Sequence, residues 1–275
     1  TPVVGCVDDA SYTCADSLMP GGPTYTWYNA TSGTLILGTS TTEDDREANV
    51  VLPFPFTFYG TTSSDIRVGD NGAILFGATT GDIVFTNSAM SSAPANFIAP
   101  FWDDMDTDTG GTYTEVFGSA PNRVFVVEWN NRPHFSNVGS ATFQVLFHET
   151  TNKITFQYQD VDFGNVSYNN GASATVGIKG STIQYSFNAA ALSDLLAIQF
   201  TPIVPPNINV SPSSLAAAQL PNTTTQQTLT IGNDGGSPLN WTVGESAAAN
   251  GIVLPLAGSV DYGSPRTAPV QEIKI

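Results

Sequence analysis

The chain has 275 residues, with 24 Asp or Glu against 8 Lys or Arg and a net charge of -16. No Lys/Arg cluster is present to neutralise phosphates, which argues against nucleic acid and against an anionic membrane surface as partners. Other proteins, further copies of this chain, neutral glycans and divalent cations remain.

Charged residues are only 12% of the chain and hydrophobic ones 41%. Solubility therefore rests on Thr, Ser, Asn and Gln, a composition suited to turn-rich β proteins that are secreted or held at a cell surface. No run of about 18 apolar residues exists, so no transmembrane helix is expected. The sequence starts at Thr1 without Met, as a processed mature chain does.

Residues 1–24 read as an irregular N-terminal arm ending at the breaker Pro20-Gly21-Gly22-Pro23. Its two cysteines, Cys6 and Cys14, are the only ones in the chain and are expected to form a local disulfide. Asp8, Asp9 and Asp16 beside them form a faint acidic cluster. Residues 25–203 are expected to form a β-sandwich domain. It opens on the strand-like aromatic cluster Tyr25-Thr26-Trp27-Tyr28, and Thr41 to Glu47 reads as a solvated loop.

From Val50 onward the pattern is β throughout. Val50 to Gly60 alternates aromatics with prolines that forbid a central position at those residues. Ile66 to Phe76 reads as two strands around an Asp70-Asn71-Gly72 turn. Val124 to Trp129 is another strand. In the next hairpin, Phe143, Val145 and Phe147 share one face and Ile154, Phe156 and Tyr158 share the matching one. Ala174 to Ile178, Thr182 to Phe187 and Ile198 to Phe200 complete the block, and only Ala189 to Leu196 hints at a helical turn. The fold class is all-β: an antiparallel β-sandwich followed by a smaller immunoglobulin-like β segment.

That segment, residues 204–275, comes after the stiff linker Pro202 to Pro206. Asn207 to Leu215, Thr228 to Asn233 and Leu239 to Val243 look like the opening strands of an immunoglobulin-like sandwich. The stretch from Gly244 to Ile275 is short for the remaining strands, and Val270 to Ile275 alternates like a strand able to complete its own domain or a neighbour's open edge.

Phe54-Pro55-Phe56-Thr57-Phe58-Tyr59-Gly60, Val68-Gly69-Asp70-Asn71-Gly72 and Ile98-Ala99-Pro100-Phe101-Trp102-Asp103-Asp104-Met105-Asp106 resemble, in order, the markers of the NIDO (nidogen-like) domain. Val127-Glu128-Trp129, Phe143-Gln144-Val145, Phe156-Gln157-Tyr158 and Val176-Gly177-Ile178 extend the resemblance over about Tyr25 to Phe200. The resemblance implies an extracellular, non-enzymatic part of an adhesive, matrix or bacterial surface protein, with no catalytic residues to carry over. The Asn207 to Val243 stretch resembles bacterial immunoglobulin-like surface repeats.

Chemistry concentrates after Trp102. Asp104, Asp106 and Asp108 stand at positions 1, 3 and 5 of a calcium-loop pattern and Glu115 at position 12, the oxygen supply a hard cation such as Ca2+ takes. Position 6 is Thr109 rather than Gly, no helices flank the loop, and the simpler reading is an acidic, solvated hairpin tip.

For catalysis the supply is thin. His134 and His148 are the only histidines, each more simply a surface residue than part of a Ser/His/Asp triad. Asp103 and Glu128 could be drawn as a glycosidase pair only by coincidence among so many acids. Trp27, Tyr28, Trp129 and Trp241 could stack on sugars, although aromatics in a sandwich are ordinarily core. Sequons occur at Asn29, Asn165, Asn209, Asn222 and Asn240. The expected function is a non-enzymatic secreted or surface structural or adhesive protein, with self-assembly into filaments by strand complementation as a variant. The alternative is a carbohydrate-binding accessory module of a larger secreted hydrolase.

Overall fold

Strict apolar alternation in short segments leaves each strand one face to bury, and the structure satisfies all of them with two stacked sheets. The computed structural model describes residues 4–136, 138–216, 218, 220–223, 227–243 and 256–260. The chain divides into two compact units, Thr1–Pro202 and Ile203–Ile275.

The first unit contains β1 (Tyr12–Asp16), β2 (Thr34–Leu37), β3 (Glu47–Phe58), β4 (Thr61–Gly69), β5 (Ile74–Phe76), β6 (Phe97–Trp102), β7 (Gly111–Phe117), β8 (Val124–His134), β9 (Val138–His148), β10 (Ile154–Asp160), β11 (Thr175–Lys179), β12 (Ile183–Phe187) and β13 (Ala197–Pro202). A seven-stranded sheet has the order β1-β13-β10-β9-β8-β7-β2, and a six-stranded sheet the order β12-β11-β6-β5-β4-β3. All pairings are antiparallel. The expected hairpin pairs in the register its alternation implies, Phe143 with Tyr158, Val145 with Phe156 and Phe147 with Ile154.

The inner faces meet in one aromatic core. Phe56 packs edge-on to Phe147 at 5.1 Å, and Phe101 stacks on Phe143 at 5.2 Å. Two polar tips are satisfied across the layers: Trp129 Nε1 donates to the Gly69 carbonyl and Tyr158 Oη to the Pro100 carbonyl. Both are buried and paired, as a core of this kind requires.

Both outer faces are covered too, which the sequence did not announce. The segment between β1 and β2 crosses the seven-stranded sheet from one edge to the other. Its contacts run from Ala197 on β13, bonded to Ser17, to Glu128 on β8, whose carboxylate accepts the Ala30 N–H. Tyr25 to Tyr28 belong to this strap and form no strand, contrary to expectation. Ile83, Met90 and Ala93 likewise cover Phe97, Ala99 and Trp102 on the outer face of the six-stranded sheet. β6 is therefore buried on both sides, which accounts for its unbroken apolar run. Ala189 to Leu196 forms turns, with Leu195 at φ +61°, and no helix.

The N-terminal arm is part of the sandwich rather than an appendage. β1 pairs with β13, while the Gly5 N–H bonds the Tyr185 carbonyl on the edge strand of the other sheet. Asp8 and Asp9 accept backbone N–H groups from Ser11, Tyr12 and Cys14, so they cap the free side of β1 and are spent as acceptors. Asp16 is spent in the same way on Leu18, Met19 and the Tyr185 hydroxyl. The Cys6–Cys14 disulfide is formed and closes this flap. Cys14→Ser is expected to cost about 2–3 kcal/mol, because it frees a short loop that covers a sheet edge. Urea unfolding with and without reductant checks this, and a midpoint insensitive to reductant would contradict it.

β3 is the outer strand of the six-stranded sheet. Its Pro53 and Pro55 lie in step with Thr57, whose N–H points away from β4 to the Asn152 side chain. The prolines thus remove donors along the free edge and blunt it against pairing.

In the second unit, β14 (Ile208–Ser211) pairs with β15 (Thr230–Asn233) and β16 (Leu239–Val243) with β17 (Leu256–Val260), all antiparallel. Ile231, Leu239 and Trp241 form its small core. The Val270 to Ile275 strand lies outside the described residues.

Candidate functional site

The acidic stretch leaves β6 at Trp102 and crosses to β7 as a loop over one end of the sandwich. Four neighbours hold it. Gly72 approaches so closely that a Cβ there would sit 1.8 Å from the Phe101 carbonyl oxygen, and its φ is +68°. Asn71, fully buried, is the hub: its carbonyl and side-chain oxygen accept the N–H groups of Asp103 and Met105. Its amide donates to Asp45 Oδ1 at 2.8 Å and to the Ile83 carbonyl. Met105 bridges to His134 at the end of β8, and the Asp106 N–H bonds the Pro133 carbonyl.

A second loop, residues 40–46, is clamped onto the first. The buried Thr107 hydroxyl lies 3.0 Å from the Ser40 carbonyl oxygen and 2.7 Å from that of Glu43, and the Ser40 N–H donates back to the Thr107 carbonyl. Arg46 and Asp70 exchange backbone and side-chain bonds: the Arg46 N–H donates to Asp70 Oδ2 and the Asp70 N–H to the Arg46 carbonyl. Beneath them Arg132, fully buried, donates from Nη2 to the Leu37 carbonyl and to Thr112 Oγ1.

Electrostatics mark this apex as crowded with negative charge. Burial, opposed by His134 and reinforced by Asp44, Asp45 and Asp103, pushes Asp104 up to about 6. Asp44 is raised by desolvation and then by Asp45, Asp106 and Asp108. Asp70 is pushed up to about 7 by burial, against the pull of the Arg46 N–H and of Arg132. Two loops distant in sequence thus bring their carboxylates within electrostatic reach of one another.

The expected metal quartet is split. Asp104 and Asp106 are partly buried and Asp108 is exposed in the loop, with Asp106 Oδ1 accepting the N–H groups of Thr107 and Asp108. Glu115 lies along β7 and accepts from the Ser32 hydroxyl. Among the described residues, no three His, Cys, Asp or Glu side chains are spaced to hold a metal ion. Asp44 and Asp45 join the cluster instead, and the sequence reading missed them because the 40–46 loop gave no sign of where it docks.

The catalytic alternatives are occupied otherwise. Asp103 Oδ2 accepts from the Ser173 hydroxyl and lies 3.7 Å from His134 Nε2. The carboxylate stands in the middle, so the hydroxyl proton is directed to Asp103 and not to an imidazole base, the reverse of a Ser-His-Asp relay. His134 is 5% exposed and stacks on Tyr168 at 3.8 Å, with Nδ1 accepting the Ser136 N–H. Glu128 lies on the outer face of the other sheet, held by the Ala30 N–H and the Asn130 amide, and forms no pair with Asp103. Of the aromatic candidates, Trp129 and Trp241 are core. Tyr28 packs on Phe117, and Trp27 stacks with Tyr25 at 6.3 Å and 23° on the partly exposed strap.

These features define a two-layer β module with covered outer faces and one acidic apex. The chain belongs to the NIDO-related family, whose model matches residues 12–210. The match takes in β1, which the resemblance drawn from the sequence left out, and stops within the second unit, so the immunoglobulin-like likeness of that unit is not part of it. Comparison with curated proteins and with solved structures gives no match. The family is a non-catalytic structural one. Among the described residues no helix is long and apolar enough to cross a membrane.

Proposed function

We propose that this chain is a non-enzymatic structural or adhesive part of a secreted or cell-surface protein, and that its acidic apex takes a divalent cation, calcium by its oxygen ligands. The observation that carries the cation is the docking of the 40–46 loop on the 103–110 loop, which brings Asp44 and Asp45 within electrostatic reach of the 103–110 carboxylates at a cost. A hard cation offsets that cost and takes carboxylate and carbonyl oxygens together. Asp44 and Asp108 are exposed and can turn inward without disturbing the core. Bound calcium would rigidify that end of the sandwich. The immunoglobulin-like reading of residues 204–275 belongs to the same proposal, as a spacer or assembly segment.

The test is thermal unfolding with millimolar calcium and with chelator. At a hundredfold excess over Kd the ion adds about 2.7 kcal/mol, which raises Tm by about 5–10 °C at this size. Asp104→Asn combined with Asp106→Asn is expected to abolish the shift. An unchanged Tm in the parent protein sinks the cation, and a hydrolase activity lost on replacing His134 sinks the non-enzymatic reading.

One observation favours a second reading, the carbohydrate-binding module. Tyr25 and Trp27 present two nearly parallel rings, partly exposed, and ring faces of this kind stack on sugars. A defined hit on a glycan array that disappears in Trp27→Ala would favour it.

A further inference from the structure

The outer face of the seven-stranded sheet carries a second polar constellation, away from the apex. Thr155 on β10 and Gln199 on β13 are direct register partners. Thr155 is 3% exposed, and its Oγ1 accepts from Gln199 Nε2 at 3.2 Å. The same oxygen lies 3.0 Å from Nε2 of His148, the last residue of β9. Thr201 Oγ1, on the same face of β13, donates to Gln199 Oε1 at 3.5 Å. A hydroxyl, a ring nitrogen and a carboxamide thus meet around the buried Thr155 oxygen, with a donor on the carboxamide oxygen; His148, Gln199 and Thr201 are themselves half-buried.

We propose that Thr155 and Gln199 form an intramolecular ester, a self-made covalent cross-link between β10 and β13, with His148 carrying the proton. Thr155 Oγ1 attacks Gln199 Cδ as its proton passes to His148 Nε2. The electron pair displaced onto Oε1 is stabilised by the Thr201 hydroxyl. Collapse breaks the Cδ–Nε2 bond, His148 returns the proton to the leaving nitrogen, and ammonia departs. One C–O bond replaces one C–N bond, and no oxidant or co-reactant is needed. Burial and the nearby Lys153 push His148 down to about 4, so the imidazole is neutral at neutral pH and its Nε2 is open to the hydroxyl proton when Nδ1 carries the hydrogen. Burial of Thr155 also keeps water from the attacking oxygen.

The placement has a mechanical use. β13 is the strand from which the chain continues into the second unit, and Tyr12 pairs with Pro202. The chain enters β1 and leaves β13 at the same end, so tension would peel these strands apart rung by rung. An ester at Gln199 ties β13 to β10, so β13 stays in the sheet even when β1 is pulled from it.

Intact mass of the purified full chain tests the proposal. The expected value is about 17 Da below the sequence mass with its disulfide, the loss of one ammonia, mapped by digestion to a cross-linked pair of peptides holding Thr155 and Gln199. His148→Ala is expected to fold with a cooperative transition and to keep the full mass, and Thr155→Val to keep it also. A full mass in the folded parent protein overturns the cross-link. So does a deficit mapped to Asn71-Gly72, Asn170-Gly171 or Asn250-Gly251, where cyclisation of asparagine loses the same ammonia.

Discussion

Replacing Gly72 by alanine is expected to cost about 3 kcal/mol or more, because two penalties coincide. The φ of +68° disfavours any Cβ by about 1 kcal/mol. The larger part is contact: the new Cβ would lie 1.8 Å from the Phe101 carbonyl oxygen and 2.8 Å from its carbon. Both are backbone atoms that no rotamer change can move. The Phe101 N–H to Gly72 carbonyl bond and the Asn71 hub sit on the same turn, so the acidic loop loses its anchor with the glycine. Gly60 supplies the control. Its φ is +79°, yet nothing lies within 4 Å of an added Cβ, so Gly60→Ala should cost only about 1 kcal/mol. Denaturant unfolding of both variants separates strain from close approach, and equal costs would refute the role assigned to Gly72.

Arg132→Leu is expected to cost about 2–3 kcal/mol, since it removes the buried Nη2 bonds to the Leu37 carbonyl and Thr112 Oγ1 and one of the two cations whose field reaches the Asp70 carboxylate. Burial lowers Arg132 to about 10 and raises Asp70 to about 7, so each charge is held in the core at a cost that the other offsets. This burial also sets the sign of the pH dependence. Asp70 binds its proton more tightly folded than unfolded, so its contribution is most favourable below the unfolded value of 3.8 and is lost as pH rises to about 7. In calcium-free buffer the parent protein is therefore expected to become less stable from about pH 4 to about pH 7 through this group. Asp70→Asn should flatten that slope, and Arg132→Leu should extend it to higher pH. A pH profile identical in the parent and Asp70→Asn would contradict this.

The amino-acid sequence by itself determined the local elements. Period-two alternation in Phe143 to Phe147 and Ile154 to Tyr158 leaves only one register that buries both apolar rows, because a slip of one residue exposes every side chain. Asp70-Asn71-Gly72 demanded a turn for the same local reason, and the order of the markers gave the family. Tertiary structure alone decided the rest. The 40–46 loop carries no apolar pattern, so its docking through Thr107 and Asn71, and with it the place of Asp44 and Asp45, was not legible. Glu115 fitted a linear ligand spacing, but the loop leads into a strand that carries it along β7 to Ser32. Tyr25 to Tyr28 alternate like a strand yet lie flat across a sheet that already has its edges in β1 and β2. Spacing along a chain fixes which face a side chain takes; which distant loop meets that face is set by how whole sheets stack.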